Sequence, residues 1–364
     1  MSDALSELRA GWLPAASNHG HAYRDRVSSA DLVAGSVSGF YTSRYGHSSA
    51  QVWRQRLTAG EICRNGRQLR ADAPLSAGDR LVWHRPPWQE AAVPVLPSPL
   101  FDDGDLVVFN KPRGLPVLPA GGFLEHTLLR QIERQVAAGA LDGRGGMPRP
   151  VHRLGRFTSG LLLCARRAAS RAWLSALLRE STAADGLGQS ATTVASSQRH
   201  CRKTYRALLQ APMPGSPLCD LAPGDSLEIT TVIGRRSHPR LGALWCAAAG
   251  DPEALPASSR LTLLEPIAQA ALVEVVIATG RPHQIRIHAA ALGAPLLGDP
   301  LFGPGGVAKG DALPGDGGYL LHAHRFRLPL VDGRWLSLEA PLPPELVGSL
   351  DPAQAFSKAI SLEK

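Results

Sequence analysis

Val151-His-Arg-Leu-Gly-Arg-Phe-Thr-Ser-Gly160, running straight into Leu161-Leu-Leu-Cys-Ala165, is the stretch on which the reading of this chain turns. Upstream lies a Gly/Pro-rich loop, Gly143-Arg-Gly-Gly-Met-Pro148; downstream, the apolar run has the length and composition of a buried strand. A polar loop between two such elements, dense in arginine, histidine and hydroxyls, reads either as a functional rim or as a turn that merely starts the strand. Two further stretches share this character. Thr279-Gly-Arg-Pro-His-Gln-Ile-Arg-Ile-His288 follows a strand at 273–278 and places Pro282 where a helix would begin. His283, Gln284 and Arg286 then fall on a first turn whose free N–H groups favour anions. Lys203-Thr-Tyr-Arg-Ala-Leu-Leu209 opens a strand with Tyr205 beside Arg202 and Lys203, either a half-buried strand aromatic or a platform on which a base stacks.

Working outward, the patterning predicts strands at 106–109, 161–165, 204–210, 227–233, 272–278 and 318–328, and helices at 124–138, 168–180 and 282–292. Strands outnumber helices and are joined mostly by loops, which predicts an α+β fold with a mixed, largely antiparallel sheet. Residues 1–30 lack periodicity and read as a loosely packed arm. Within 31–88, a serine-capped helix from Ser48 closes at Gly60, a short strand runs into an Asn65-Gly66 turn, and Leu75-Ser-Ala-Gly-Asp-Arg-Leu-Val-Trp83 supplies a closing strand. This order resembles an S4-like RNA-binding module, which would put Arg56, Arg64 and Arg67 against RNA. A Pro-rich link at 89–98 leads to the main domain at 99–350, and 351–364 reads as a tail. The Ser/Thr/Ala/Gly-rich segment 181–200 reads as a flexible insertion.

The net charge is +8, and of the 39 lysines and arginines only five are lysines. Arginine forks match phosphate oxygens two at a time and stack on bases, so this balance points to nucleic acid, unless it is a compositional habit of the genome. Five unpaired cysteines offer neither a disulfide framework nor a metal spacing. The N-terminus has charges and no apolar run, and no stretch is long and apolar enough for a membrane, so the expectation is a cytoplasmic protein. No G-x-S-x-G, P-loop or H-E-x-x-H pattern suggests a hydrolase or nucleotide enzyme.

Taken in order, Asn110-Lys-Pro-Arg-Gly114, His152-Arg-Leu-x-x-x-Thr-Ser-Gly160, Lys203-Thr-Tyr205, Gly280-Arg-x-His-Gln-Ile-Arg286, Gly298-Asp-Pro-Leu-Phe-Gly303 and Leu321-His-Ala323 resemble the RluA-like RNA pseudouridine synthases over about 100–345. The resemblance implies the pseudouridine synthase fold and isomerisation of a flipped uridine in structured RNA, rRNA or tRNA. It implies no metal and no organic cofactor; no protein partner is expected and the chain is expected to be monomeric. It further implies that Tyr205 stacks on the uracil, and that Arg286, or failing it Arg281, pairs with the catalytic carboxylate. His152, Arg153, Arg156, Thr158, Lys111, Lys203, His283 and Gln284 would border the RNA. The departure is Gly155, which stands at the family's aspartate position in an ungapped motif and has no atom able to act as nucleophile or base. The pairing arginine would then lack its anion, at roughly 1–3 kcal/mol if buried. None of Asp102, Asp103, Asp105, Asp142, Asp185 or Asp299 stands out as a replacement. Two readings follow: an active synthase, or a catalytically silent RNA-binding or chaperone protein on the same fold.

Overall fold

The computed structural model describes residues 11–183, 201–330, 332–347 and 360–363. The chain divides into two units, a small one of residues 15–91 with 237–244 and a large one holding the remainder.

In the small unit, β1 (His21–Arg26), β2 (Ile62–Arg64), β3 (Arg67–Gln68) and β4 (Arg80–Arg85) form an antiparallel sheet in the order β1-β4-β2-β3, beside α1 (Val37–Arg44) and α2 (Ala50–Ala59). The Ser49 hydroxyl accepts the Val52 N–H at the start of α2, and Gly60 ends it in the left-handed conformation, φ +79°. Tyr41, Trp53, Leu57, Ile62, Leu81 and Trp83 make the core. Residues 21–26 pair with β4 along their whole length and Val27 is buried, so this part of the expected arm is sheet. Sequence alternation is weak there; the pairing partner supplies the order.

The large unit is built on β5 (Leu106–Lys111), α3 (Leu128–Ala137), β6 (Thr158–Ala165), α4 (Ala168–Ala183), β7 (Arg202–Gln210), β8 (Ser226–Ile229), β9 (Ser259–Ile267), β10 (Ala270–Ile277), α5 (Gln284–Ala291), β11 (Leu321–Pro329), β12 (Trp335–Glu339) and β13 (Ile360–Glu363). Among the described residues, one eleven-stranded sheet runs β8-β9-β10-β7-β11-β6-β5, with β12 on β11, β13 on β12, and two-residue strands 101–102 on β5 and 149–150 on β6. Every pair along this path is antiparallel except β6 with β11, the mixed α+β arrangement expected from the sequence. Strand β6 is buried throughout because it separates two cores: Leu161 and Leu163 face one, Leu162 and Cys164 the other. Gly160 allows the parallel contact. At its φ of +100° a Cβ would lie 2.2 Å from the Ala323 carbonyl oxygen.

The Pro-rich link is packed down rather than free, with Val93 and Leu96 buried. Gln131 of α3 holds it by accepting the Leu96 N–H at 2.7 Å and donating to the Pro94 carbonyl at 3.0 Å. Part of the expected tail, 360–363, is strand β13 on β12. Residues 184–200, the body of the expected insertion, lie outside the described residues, and α4 continues to Ala183.

Candidate active site

One end of β7 and the turn after β10 meet the 151–160 loop around a cleft of about 540 Å³, lined by His152, Arg153, Lys203, Tyr205, Gly280 and Arg281. That volume suits a single nucleotide-sized ligand. Tyr205 reaches it through an irregularity. Between Thr204 and Tyr205 the register shifts, so Thr204 pairs with Arg325 but Tyr205 with Ala323. Such a bulge re-aims the side chain that follows it. Burial pushes the Tyr205 hydroxyl's pKa well up, so the ring enters the cleft as a neutral phenol. Lys203 is also buried, which lowers its ammonium pKa.

His152 accepts the Leu163 N–H on Nε2 at 3.0 Å. Burial, with the Lys203 charge nearby, holds its pKa at about 3. It is therefore a neutral wall of the cleft. Arg153 is exposed at the rim. Arg281 donates through Nε to the Pro256 carbonyl at 2.9 Å and also lines the cleft.

Four expected RNA contacts are placed elsewhere. Lys111 is completely buried, and its Nζ donates to the carbonyls of Pro112, Leu115 and Arg156 at 3.0, 2.7 and 3.0 Å. All three of its protons are engaged, so it fastens the 110–114 loop to the 151–160 loop. Gln284 is buried and bonded to Thr279, Ser258, Ser259 and the Arg281 N–H. Thr158 is buried on β6. Arg156 donates to the Gly114 carbonyl and lies over Phe123 and Phe157, at 4.4 and 5.0 Å from their centroids. Helix α5 starts later than expected: His283, left-handed at φ +58°, precedes it, and Gln284 through Ala290 are buried. Its first turn consequently serves the core and not an open anion site. Burial and the Arg286 charge hold the half-buried His283 at a pKa of about 4.

Arg286 does not lack an anion. Its Nε and Nη2 donate to the two carboxylate oxygens of Asp299, each at 2.7 Å, with both side chains buried. This corrects the expectation that Gly155 leaves the arginine unpaired, and gives Asp299 a charge partner that its turn motif did not reveal. The Arg286 guanidinium also lies 4.3 Å from the ring centroid of Tyr319, a residue outside every motif singled out above. Tyr319 Oη is 3.3 Å from Thr158 Oγ1, a contact between residues 161 apart in the chain. Of the other carboxylates, Asp102 pairs with Arg166, Asp105 with Ser170 and Arg167, and Asp142 with Arg144; Asp103 caps the turn before β5. Asp185 lies outside the described residues.

In the small unit, Arg56 is sandwiched by Trp53 and Trp83 at 4.2 and 4.5 Å. Arg64 pairs with Asp79 at 2.7 Å, while Arg67 is exposed on β3. No helix of the described residues is long and apolar enough to cross a membrane.

A mixed sheet thus brings an aromatic hydroxyl, a buried lysine and two arginines to one cleft. Residues 105–291 match the model of the RNA pseudouridylate synthase family, and the chain belongs to that family. It is 40% identical over 311 residues to an uncharacterized RNA pseudouridine synthase of Synechocystis, covering 85% of this chain and 94% of that protein. It is 36% identical to RNA pseudouridine synthase 5 of Arabidopsis thaliana, covering 90% of this chain and 94% of the relative. Ribosomal large subunit pseudouridine synthase D of Neisseria meningitidis is 28% identical over 80% of this chain and 73% of its own. The chain is an RNA pseudouridine synthase, an isomerase acting on RNA, and the comparisons give no support to the silent alternative over this reading.

Proposed function

We propose that the chain isomerises a uridine of structured RNA, ribosomal RNA first and tRNA second, acting in the cytoplasm as a monomer without metal or organic cofactor. The observation that carries this reading is the cleft itself, where Tyr205, Lys203, Arg153 and Arg281 converge. In it the Tyr205 ring stacks on the flipped uracil, and the buried Lys203 and exposed Arg153 attract the flanking phosphates. Extrusion of the base costs a few kcal/mol, which stacking and phosphate contacts offset. The name of the Neisseria relative supports ribosomal RNA as the first substrate to try. The small unit acts as an S4-like RNA-binding module, supported by its capped helix, its Asn65-Gly66 turn (Asn65 φ +52°) and its exposed arginines. Gly155 stands where the family's carboxylate would be. The test incubates the purified chain with ribosomal RNA fragments and tRNA and maps pseudouridine by a chemical-adduct stop. New pseudouridine at a defined position, lost in Tyr205→Ala, is the expected result. Salt-sensitive RNA binding without any new pseudouridine would sink the reading.

A further inference from the structure

The space that a side chain at 155 would fill is already occupied. An ideal Cβ on Gly155 would lie 2.3 Å from the hydroxyl oxygen of Tyr319, against 3.3 Å to Thr158 Oγ1 and 3.6 Å to Tyr319 Cζ. Ordinary bond lengths put the carboxylate oxygens of an aspartate at about 2.4 Å from its own Cβ. The phenol oxygen therefore stands at the distance from position 155 that an aspartate's oxygen would have, delivered from another part of the chain. It is held firmly: Tyr319 is 1% exposed, its Oη is within reach of Thr158, and its ring lies beneath a guanidinium that Asp299 fixes with two bonds. Its backbone is held too, since its carbonyl accepts from Arg113 Nε at 3.1 Å. Gly155 itself is exposed, and the buried hydroxyl lies directly against it. A preorganised polar atom of this kind is what a reacting position requires.

We propose that Tyr319 supplies the reacting oxygen of this enzyme in place of a carboxylate at 155. The inference rests on the function proposed above. Tyrosine is an established type of nucleophile in glycosyl chemistry. Oη bonds to the ribose C1′ as the C1′–N1 bond breaks; the electron pair leaves with the uracil, which takes the phenol proton on N1. The uracil turns and its C5 bonds to C1′ as the C1′–Oη bond breaks; that pair returns to Oη, which accepts the proton lost from C5. The cycle ends with N1–H gained, C5–H lost and the phenol restored, with no oxidant, reductant or further reactant.

The experiment compares the full-length chain with Tyr319→Phe on an RNA that the parent modifies, measuring single-turnover rate, RNA affinity and melting temperature together. The expected result is a rate loss of about 100-fold or more with RNA affinity changed by less than about threefold. A Tyr319→Phe rate within about threefold of the parent overturns the inference and leaves the proposed function standing. A parent chain without turnover on any RNA overturns both. If Tyr319→Phe does not fold, 3-fluorotyrosine placed at 319 keeps the shape and makes the phenol more acidic. The alkaline limb of the pH–rate profile then moves to lower pH if Oη reacts; an unmoved limb overturns the inference.

Discussion

Replacing Asp299 by asparagine tests the buried Arg286–Asp299 pair. The change keeps the side-chain shape and removes the only carboxylate bonded to Arg286 among the described residues; the Arg286 side chain is 3% exposed against 0% for Asp299. Breaking one side of a buried pair leaves an uncompensated charge and costs about 3–5 kcal/mol. For a unit of this size that is about 6–10 °C of melting temperature. Asp299→Ala should cost about 1–3 kcal/mol more, because Asp299 Oδ1 also accepts the N–H groups of Leu301 and Phe302 at 2.9 and 3.3 Å. The assay is denaturant unfolding of the full chain, with the double variant Arg286→Met, Asp299→Asn closing a thermodynamic cycle. Because the double variant removes both charges, it should be more stable than Asp299→Asn alone. If Asp299→Asn costs under 1 kcal/mol, or the two substitutions simply add, Arg286 is not anchored as described and the placement of the Tyr319 ring loses its support.

Gly155→Asp should destabilise the fold without raising turnover, because its Cβ meets Tyr319 Oη at 2.3 Å. Gly155→Ala should be better tolerated in a Tyr319→Phe background, where the nearest ring atom is 3.6 Å away, and equal melting losses in both backgrounds would contradict this. Acid should weaken the fold from about pH 6.5 downward. The buried His288, His322 and His324 have folded pKa values of about 4, 3 and 3, so the unfolded chain binds protons first; each should cost about 1 kcal/mol between pH 7 and 5.5, read by unfolding at both values. Arg153→Ala should weaken RNA binding and flatten its salt dependence by about one unit in slope, whereas an unchanged slope would remove Arg153 from the phosphate contacts.

The sheet was legible because its strands are apolar runs of strand length bounded by Gly/Pro turns, and β6 shows this most plainly. The convergence of His152, Arg153, Lys203, Tyr205 and Arg281 was legible too, since each sits beside a turn or a strand end. What the letters do not carry is which way a polar side chain faces. Lys111, Thr158 and Gln284 belong to motifs that look like ligand contacts, yet all three face inward and satisfy backbone or core groups. Arg286 with Asp299, and Gly155 with Tyr319, are contacts made by tertiary packing, which no periodicity encodes. Strand β1 was missed because its partner lies more than fifty residues away and its own composition is polar.

The Lys111 fastening also makes this amine a chemical reporter. An ammonium donating all its protons to carbonyls, with its pKa lowered by burial, is shielded from acylating reagents while the two loops stay joined. Its rate of labelling therefore measures how often the 110–114 and 151–160 loops come apart. Bound RNA that steadies either loop would slow that clock without touching the lysine.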